Sequence, residues 1–216
     1  MRKIFFAALL IFSTITCFAQ VDLGIFAGPQ ITSAGYSVNS EKQSTSNKYG
    51  FHLGANLKVP FENKLYFAPA VFYSLKGYKV KLNQPSPLPD SLAIDNNTTI
   101  HTFELAALFQ YDFKSNPNHF FVKFGPSIDV QLYGKEKFNR RNNTAIDRQM
   151  VFSFTKYGRI GANMILQLGY ETSNGIFFSG QYSHGIGNIN NTDYGPYIVH
   201  RVYGLSIGKY IIKLKK

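Results

Sequence analysis

A run of eleven residues, from Tyr49 to Val59, alternates strictly between two kinds of side chain. Its odd positions carry Tyr49, Phe51, Leu53, Ala55, Leu57 and Val59, and its even positions carry Gly50, His52, Gly54, Asn56 and Lys58. Because successive side chains of a β-strand point to opposite faces, this order predicts a strand with one apolar face and one small or polar face. About ten such residues in a tilted strand are also enough to cross the hydrocarbon of a bilayer.

The same two-residue period recurs along the chain after residue 20. We predict eight strands, near residues 21–31, 49–59, 65–76, 102–113, 120–132, 159–171, 176–186 and 197–210. Pro69 lies inside the third strand, where its missing N–H predicts a bulge. Helical periodicity is absent from the sequence after residue 20, so the predicted fold class is all-β.

The connections alternate in length. Short ones cover residues 60–64, 114–119 and 172–175, and long ones cover residues 32–48, 77–97, 133–155 and 187–196. Short and long connections therefore lie at opposite ends, as in outer-membrane barrels, whose periplasmic turns are short. We predict an eight-stranded antiparallel up-and-down transmembrane β-barrel.

The first nineteen residues have the composition of a signal peptide. Arg2 and Lys3 precede the apolar residues 4–15, and Cys17-Phe-Ala19 is a small-x-small cleavage site. We expect cleavage before Gln20, a barrel domain over residues 20–216 and export to the outer membrane of a Gram-negative bacterium. An alternative, lipid attachment at Cys17, is disfavoured by the residues before it. Since Cys17 is the only cysteine, the mature chain has no thiol or disulfide.

The column opposite the apolar face is composed mostly of small and amide side chains with isolated charges. A soluble ligand-binding barrel would turn its apolar column inward and cover its outer column with charge. We therefore predict that the apolar column faces lipid and that the charges pair inside the barrel, since a lone interior charge is costly. The predicted interior network contains His52, Lys58, Glu104, Lys123, Asp129, Arg159 and Gln181.

The formal net charge of +11 raises the question of an anionic partner. The basic side chains of the third long connection are grouped with one aromatic ring: Lys135, Lys137, Phe138, Arg140, Arg141 and Arg148. They suit contact with lipopolysaccharide phosphates or an acidic partner; the alternative is an ordinary solvated loop. A second basic segment, residues 213–216, lies at the other end, and two small patches at opposite ends do not make a nucleic-acid surface.

Catalytic chemistry finds little support. The five histidines show no metal-ligand spacing, and Ser183 and His184, as neighbours on a strand, point to opposite faces. We expect no enzyme activity, no metal and no cofactor.

Several short motifs resemble those of the PorT-like outer-membrane β-barrel family, whose architecture is that of the small OmpA and OmpX barrels. The motifs are Gly50–Ala55, Pro69–Gly77, Phe103–Leu108, Lys123–Pro126, Gln181–Gly185 and Leu205–Tyr210. Two positions depart from the family pattern, since Ala106 replaces a usual Pro and Gln181 a common Arg. The chain also ends on lysines where the family tends to end on an aromatic residue.

The resemblance implies an outer-membrane location and, for some members, an accessory role in protein secretion. We predict a structural or surface-interaction protein that acts through its long extracellular loops, with outer-membrane lipid, lipopolysaccharide and other envelope proteins as partners. The alternatives are a secretion accessory component and a secreted soluble barrel that binds an apolar ligand.

Overall fold

The structure, a computed structural model, describes residues 21–212 and contains thirteen β-strands. They are β1 (Asp22–Val38), β2 (Glu41–Lys42), β3 (Ser44–Ser46), β4 (Lys48–Glu62), β5 (Leu65–Phe67), β6 (Ala70–Lys81), β7 (Asp95–Ala106), β8 (Phe109–Asp112), β9 (His119–Asn139), β10 (Ala145–Gln149), β11 (Ile160–Glu171), β12 (Ile176–Gly185) and β13 (Tyr197–Ile212). Within residues 21–212 there is no helix capable of crossing a membrane. The predicted signal peptide and the tail 213–216 lie outside the described residues.

Antiparallel pairing closes these strands into a ring of eight. β5 and β6 form one barrel strand, interrupted at residues 68–69, and β7 and β8 form the next, interrupted at residues 107–108. The ring runs β1, β4, β5/β6, β7/β8, β9, β11, β12 and β13, and β13 pairs back onto β1. The predicted eight-stranded barrel is confirmed, and Pro69 lies at one of the interruptions.

The outer wall of the ring is apolar. Phe51 and Leu53 are 45% and 50% exposed, whereas His52 between them is completely buried. We call the exposed apolar side chains of the barrel wall, below the long connections, the apolar belt; they include Ile25, Leu105, Phe124, Ile128, Leu168, Phe178, Leu205 and Ile207. The prediction that the apolar column faces outward is confirmed, which excludes the soluble barrel with an apolar lumen.

Aromatic rings border the belt at both ends. Tyr111, Phe113, Phe120 and Tyr170 form the lower girdle, near the short turns, and Phe120 and Tyr170 are in ring contact at 4.8 Å. Tyr49, Tyr73, Tyr133, Tyr182 and Tyr203 form the upper girdle, near the long connections. Aromatic residues at these two levels are typical of transmembrane barrels.

Above the upper girdle the strands continue and their two faces exchange character. In β1 the buried column changes from Gln30 and Thr32 to Ala34, Tyr36 and Val38. We call the apolar interior of this part the cap core; it comprises Ala34, Tyr36, Val38, Tyr78, Val80, Leu82, Leu88, Ala93, Ile100, Phe138, Met150, Tyr157, Ile189 and Ile198. The cap core closes the barrel at the long-loop end.

Three connections are consequently shorter than predicted. Residues 32–38, 77–81 and 133–139 are strand, and the expectation that they are loops is wrong. A bulge in β9 contributes to the error, because Thr102 pairs with Gln131 and His101 with Tyr133, leaving Leu132 as an extra residue. Before Leu132 the odd positions of β9 point inward, and after it the even positions do.

Candidate functional site

The lumen contains two clusters of buried charges, one toward each end. In the upper charge cluster, Lys76 Nζ lies 2.8 Å from Glu104 Oε2 and 2.6 Å from Asp129 Oδ2. The three side chains are at most 2% exposed. Ser127 Oγ donates a 2.5 Å hydrogen bond to Glu104, and Gln131 donates one of 3.3 Å to Asp129. One ammonium group thus holds two carboxylates out of water.

The lower charge cluster has the same composition. Lys58 Nζ lies 2.7 Å from Asp112 Oδ2 and 2.9 Å from Glu171 Oε2. His119 Nε2 is 3.0 Å from Asp112 Oδ2, and Gln110 donates a 2.6 Å hydrogen bond to Asp112 Oδ1. These contacts join four of the barrel strands at the short-turn end.

Neutral polar groups fill the space between the two clusters. His52 Nδ1 is 3.1 Å from Gln30 Oε1, and its Nε2 is 2.7 Å from Ser206 Oγ. Gln181 accepts a 3.0 Å hydrogen bond from Gln167. With these contacts and the clusters above and below, side chains fill the lumen.

Lys123 differs from the other buried lysines. It is 4% exposed, and its Nζ lies 5.0 Å and 5.3 Å from the ring centroids of Phe121 and Phe177. Among the described residues it forms no salt bridge within 4.0 Å. The two ring faces attract its ammonium group, and the carboxylates of Glu171 and Asp112 attract it at longer range.

The structure places six of the seven predicted interior residues in the lumen, and Arg159 outside it. Arg159 is exposed and lies immediately before β11; it donates a 3.4 Å hydrogen bond to the Gln131 carbonyl, and its guanidinium lies 5.6 Å from the Phe152 ring. The prediction of Arg159 as an interior residue is therefore wrong. The predicted network does not include four interior partners, Lys76, Asp112, His119 and Glu171, although the sequence pattern places Lys76, Asp112 and Glu171 in the polar columns of their strands. Lys76 could have been found, since it continues the inward column of Phe72 and Ser74.

The Ser–His pair of the lumen is not accessible to a substrate. Ser206 and His52 form a hydrogen-bonded pair, but His52 is completely buried inside the barrel. Ser183 is buried and His184 is exposed, as expected for neighbours on a strand. Residues 21–212 contain no group of three His, Cys, Asp or Glu side chains placed to hold a metal ion.

The basic residues of the third long connection are mostly engaged with acidic partners. Asp147 lies 3.1 Å from Lys135 and 2.9 Å from Lys137, and hydrogen bonds from Lys137 and then Lys135 lower the pKa of its carboxyl. Arg140 pairs with Asp90 at 2.6 Å. Arg148 Nε lies 2.7 Å from Glu136, and Arg141 is exposed.

Phe138 does not belong to a loop surface. Its side chain is 2% exposed and lies in the cap core, where the Arg148 guanidinium covers its ring at 5.0 Å. The prediction of Phe138 as a loop contact is wrong, because the bulge at Leu132 turns the even positions of β9 inward.

Two long connections meet at their tips and present aromatic rings to solvent. Thr192 Oγ1 donates a 3.0 Å hydrogen bond to the Thr155 carbonyl, and Asn191 Nδ2 donates one of 3.1 Å to the Ser153 carbonyl. Phe154 and Tyr194 on these tips are 97% and 95% exposed. We call them the tip aromatics.

The arrangement defines the class of the protein. Only helices and closed barrels satisfy every backbone polar group within a bilayer, and here a closed barrel has an apolar belt outside and paired charges inside. The protein is therefore an integral membrane β-barrel.

A family model described as "Outer membrane protein beta-barrel domain" matches residues 18–191. The chain belongs to this family, and the protein is an outer-membrane β-barrel. No curated protein matches the chain in sequence.

The chain is similar to several solved structures at low sequence identity. Ail of Yersinia pestis, solved in complex with the heparin analogue sucrose octasulfate, is 12% identical with a TM-score of 0.45, covering 88% of this chain and 98% of Ail. OprG from Pseudomonas aeruginosa is 13% identical with a TM-score of 0.46, covering 88% and 95%. PagL, described as an outer membrane enzyme, is 11% identical with a TM-score of 0.46, covering 87% and 99%.

Proposed function

We propose that the protein is a surface-interaction protein of the outer membrane, which presents its closed long-loop end to the cell exterior. The observation that carries this proposal is the exchange of faces at the upper girdle. Below it the apolar side chains point outward to lipid; above it they point inward to the cap core, and Lys79, Lys81 and Lys137 point outward. The cap is thus built to stand in water beyond the membrane.

A transport role is disfavoured by the filled lumen. Eight-stranded barrels are narrow enough for side chains to fill. Along the barrel axis the lumen is filled in turn by the lower charge cluster, by His52 with its hydrogen-bond partners, by the upper charge cluster and by the cap core. Function is therefore expected on the surface of the cap.

The tip aromatics are the most suitable contact point for a protein partner. Exposed aromatic rings in an ordered setting supply much of the binding energy of protein interfaces. Tyr194 has a positive φ of 56°, uncommon for a non-glycine residue, and a hydrogen bond from Gly195 N to the Thr192 carbonyl closes the turn that holds it. Lipopolysaccharide phosphates are the second partner class, with Arg141 the exposed cation of the third connection that forms no ion pair in the described chain.

Orientation can be tested by cysteine labelling in intact cells. The sole native cysteine, Cys17, lies in the predicted signal peptide. Phe154→Cys, at the long-loop end, should react with a membrane-impermeant maleimide before lysis, and the matched control Phe61→Cys, exposed at the short-turn end, only after lysis. Labelling of Phe61→Cys alone in intact cells would contradict the proposal.

Partner binding can be tested with a photo-reactive residue at the tips. Cross-links to one envelope or extracellular protein should form from positions 154 and 194 and be absent from position 61. Equal cross-linking from all three positions would remove the tip aromatics from the proposal.

The motifs quoted above also support assignment to the PorT-like branch of the family. Phe103–Leu108 and Lys123–Pro126 lie on adjacent barrel strands, and Ser127, which follows the second motif, binds Glu104 of the first. For some members of that branch the resemblance implies an accessory role in protein secretion. Deletion of the protein should then deplete specific proteins from the culture supernatant; an unchanged supernatant with an intact tip interaction favours the stand-alone surface role.

A further inference from the structure

An apolar groove of about 550 Å³ crosses the outer wall between β11 and β1. Leu166, Leu168, Tyr182, Tyr203 and Leu205 line it, with Gly180 among them. Leu168 and Leu205 belong to the apolar belt, so the groove lies at the depth of the lipid acyl chains. Its occupant in the membrane is therefore hydrocarbon.

Gly180 opens this groove although the barrel does not require a glycine there. A Cβ at Gly180 would meet only Leu205 Cδ2, at the ordinary contact distance of 3.8 Å. By contrast, a Cβ at Gly28 would lie 1.7 Å from the Leu205 carbonyl oxygen. Glycine in a strand costs about 0.5–1 kcal/mol relative to alanine, so a glycine without a packing reason points to an approach by something else.

An arginine lies one pleat beyond the upper end of the groove, outside its lining. Tyr182 and Tyr203 lie side by side at 4.8 Å, and one pleat further, about 7 Å along the strands, the exposed side chains of His184 and Arg201 are cross-strand partners. Tyr182 Oη and His184 Nδ1 are 2.9 Å apart. The exposed Arg201 side chain lies over Gly35 of β1 and forms no salt bridge with any described residue, so its guanidinium can accept a phosphate as partner.

We propose that this groove is a specific site for lipid A, the phosphorylated and acylated glycolipid of lipopolysaccharide. One acyl chain lies over Gly180 between Leu168 and Leu205, and a phosphate binds Arg201 beside His184. The choice of lipid A rests on the proposed function, because it requires the long-loop end to face the cell exterior, where lipopolysaccharide forms the outer leaflet.

A second groove provides an internal control. It occupies about 620 Å³ of the wall around β4 to β9 and is lined by Ala55, Leu57, Pro69, Leu105, Ala107 and Ile128. Neither groove has a charged side chain in its lining, but the next outward residues of the control groove toward the long-loop end are Tyr73, Phe103 and Val130, none of them a cation. It offers a similar volume for hydrocarbon without a cation for a headgroup. It should therefore show no preference for a phosphorylated lipid.

The test is native mass spectrometry of the full chain released from detergent in the presence of purified lipid A. We expect wild type to retain one lipid A, and Gly180→Phe and Arg201→Ala each to lose at least tenfold in retention. Ala107→Phe, which fills the control groove, and Lys209→Ala, which removes an exposed cation nearer the short turns of β13, should retain it as wild type does. Heat-modifiable gel migration checks that each variant is folded. If Gly180→Phe does not fold, Arg201→Ala alone tests the site.

Equal loss of lipid A retention in Arg201→Ala and Lys209→Ala would overturn the site. Wild-type retention of lipid A by Gly180→Phe as well as by Ala107→Phe would also overturn it. Equal retention of phosphatidylglycerol and lipid A by wild type would overturn the choice of lipid A. Because retention is measured on purified protein, it does not depend on orientation in the cell. Normal labelling of Phe154→Cys without lipid A retention removes only this inference, whereas retention with reversed labelling removes the proposed function.

Discussion

Removal of the Lys76 ammonium should be among the most destabilising single changes in the lumen. Lys76→Met leaves Glu104 and Asp129 buried together with no cation within 4 Å in the described chain. Breaking a buried ion pair by deleting one partner costs about 3–5 kcal/mol, because the remaining charge is left without compensation. Here two carboxylates are left against one another, so the upper part of this range is expected.

A neutral replacement of the whole cluster should recover most of that loss. Buried ion pairs replaced by well-packed hydrophobic residues of similar volume are often neutral or stabilising by about 1–4 kcal/mol, and neutral amides of the same shape also remove every uncompensated charge. The triple variant Lys76→Met, Glu104→Gln, Asp129→Asn should therefore lie closer to wild type than Lys76→Met does. Such an order separates the cost of an uncompensated charge from the cost of a lost contact.

The assay is equilibrium unfolding by urea of barrel inserted in lipid vesicles, followed by heat-modifiable migration. Lys79→Met is the matched control, on the same strand but exposed to solvent, and should change stability by no more than about 0.5 kcal/mol. Equal destabilisation of the single and triple variants would refute the electrostatic reasoning. A wild-type unfolding midpoint for Lys76→Met would refute the cluster itself.

Three further predictions concern packing and the cap. Gly28→Ala should destabilise the barrel by about 1–3 kcal/mol or prevent its closure, because its Cβ would meet the Leu205 carbonyl at 1.7 Å; vesicle unfolding measures this. Phe138→Ala should cost about 3–5 kcal/mol as a cavity in the cap core, measured in the same way. Burial raises the pKa of Asp90, but the hydrogen bonds from the Leu92 N–H and from Arg140 outweigh burial and hold that pKa below its usual 3.8. The Asp90–Arg140 salt bridge should therefore break only as the pH falls below that value, and hydrogen exchange of residues 88–94 should then rise. The sign follows because a depressed carboxyl pKa stabilises above the unfolded value and the stabilisation is lost on protonation.

Each of these predictions has a control on the same chain. Gly180→Ala should be tolerated where Gly28→Ala is not, since space is free at Gly180. Lys137→Ala, next to Phe138 but exposed, should leave the unfolding midpoint unchanged. Asp90→Asn should give fast exchange of residues 88–94 at neutral pH, whereas Asp193→Asn should not. Slow exchange of residues 88–94 in Asp90→Asn would show that the Asp90–Arg140 salt bridge does not hold this segment in place.

The alternation of residues 49–59 and its repeats were enough to predict the barrel. A two-residue period in a strand places alternate side chains on opposite faces of the sheet. When the face opposite the apolar column is small and polar rather than densely charged, the apolar column is expected to face lipid. Loop lengths then ordered the strands as an up-and-down ring. The lumen position of His52, Lys58, Glu104, Lys123, Asp129 and Gln181 follows from the same column.

The pairing of charged side chains within the lumen could not be predicted from any pattern along the sequence. Lys76 meets Glu104 and Asp129 because register and shear bring three different strands to one level, and that level is fixed only when the ring closes. Phe138 was misplaced because one bulged residue, Leu132, reverses the phase of β9. Arg159 was misplaced because it lies just before β11 and not within it. Period and composition are local properties of a chain, so the sequence determined the barrel and its two faces; register, bulges and the meeting of distant loops are decided by closure, so only the tertiary structure revealed the charge clusters, the cap and the groove over Gly180.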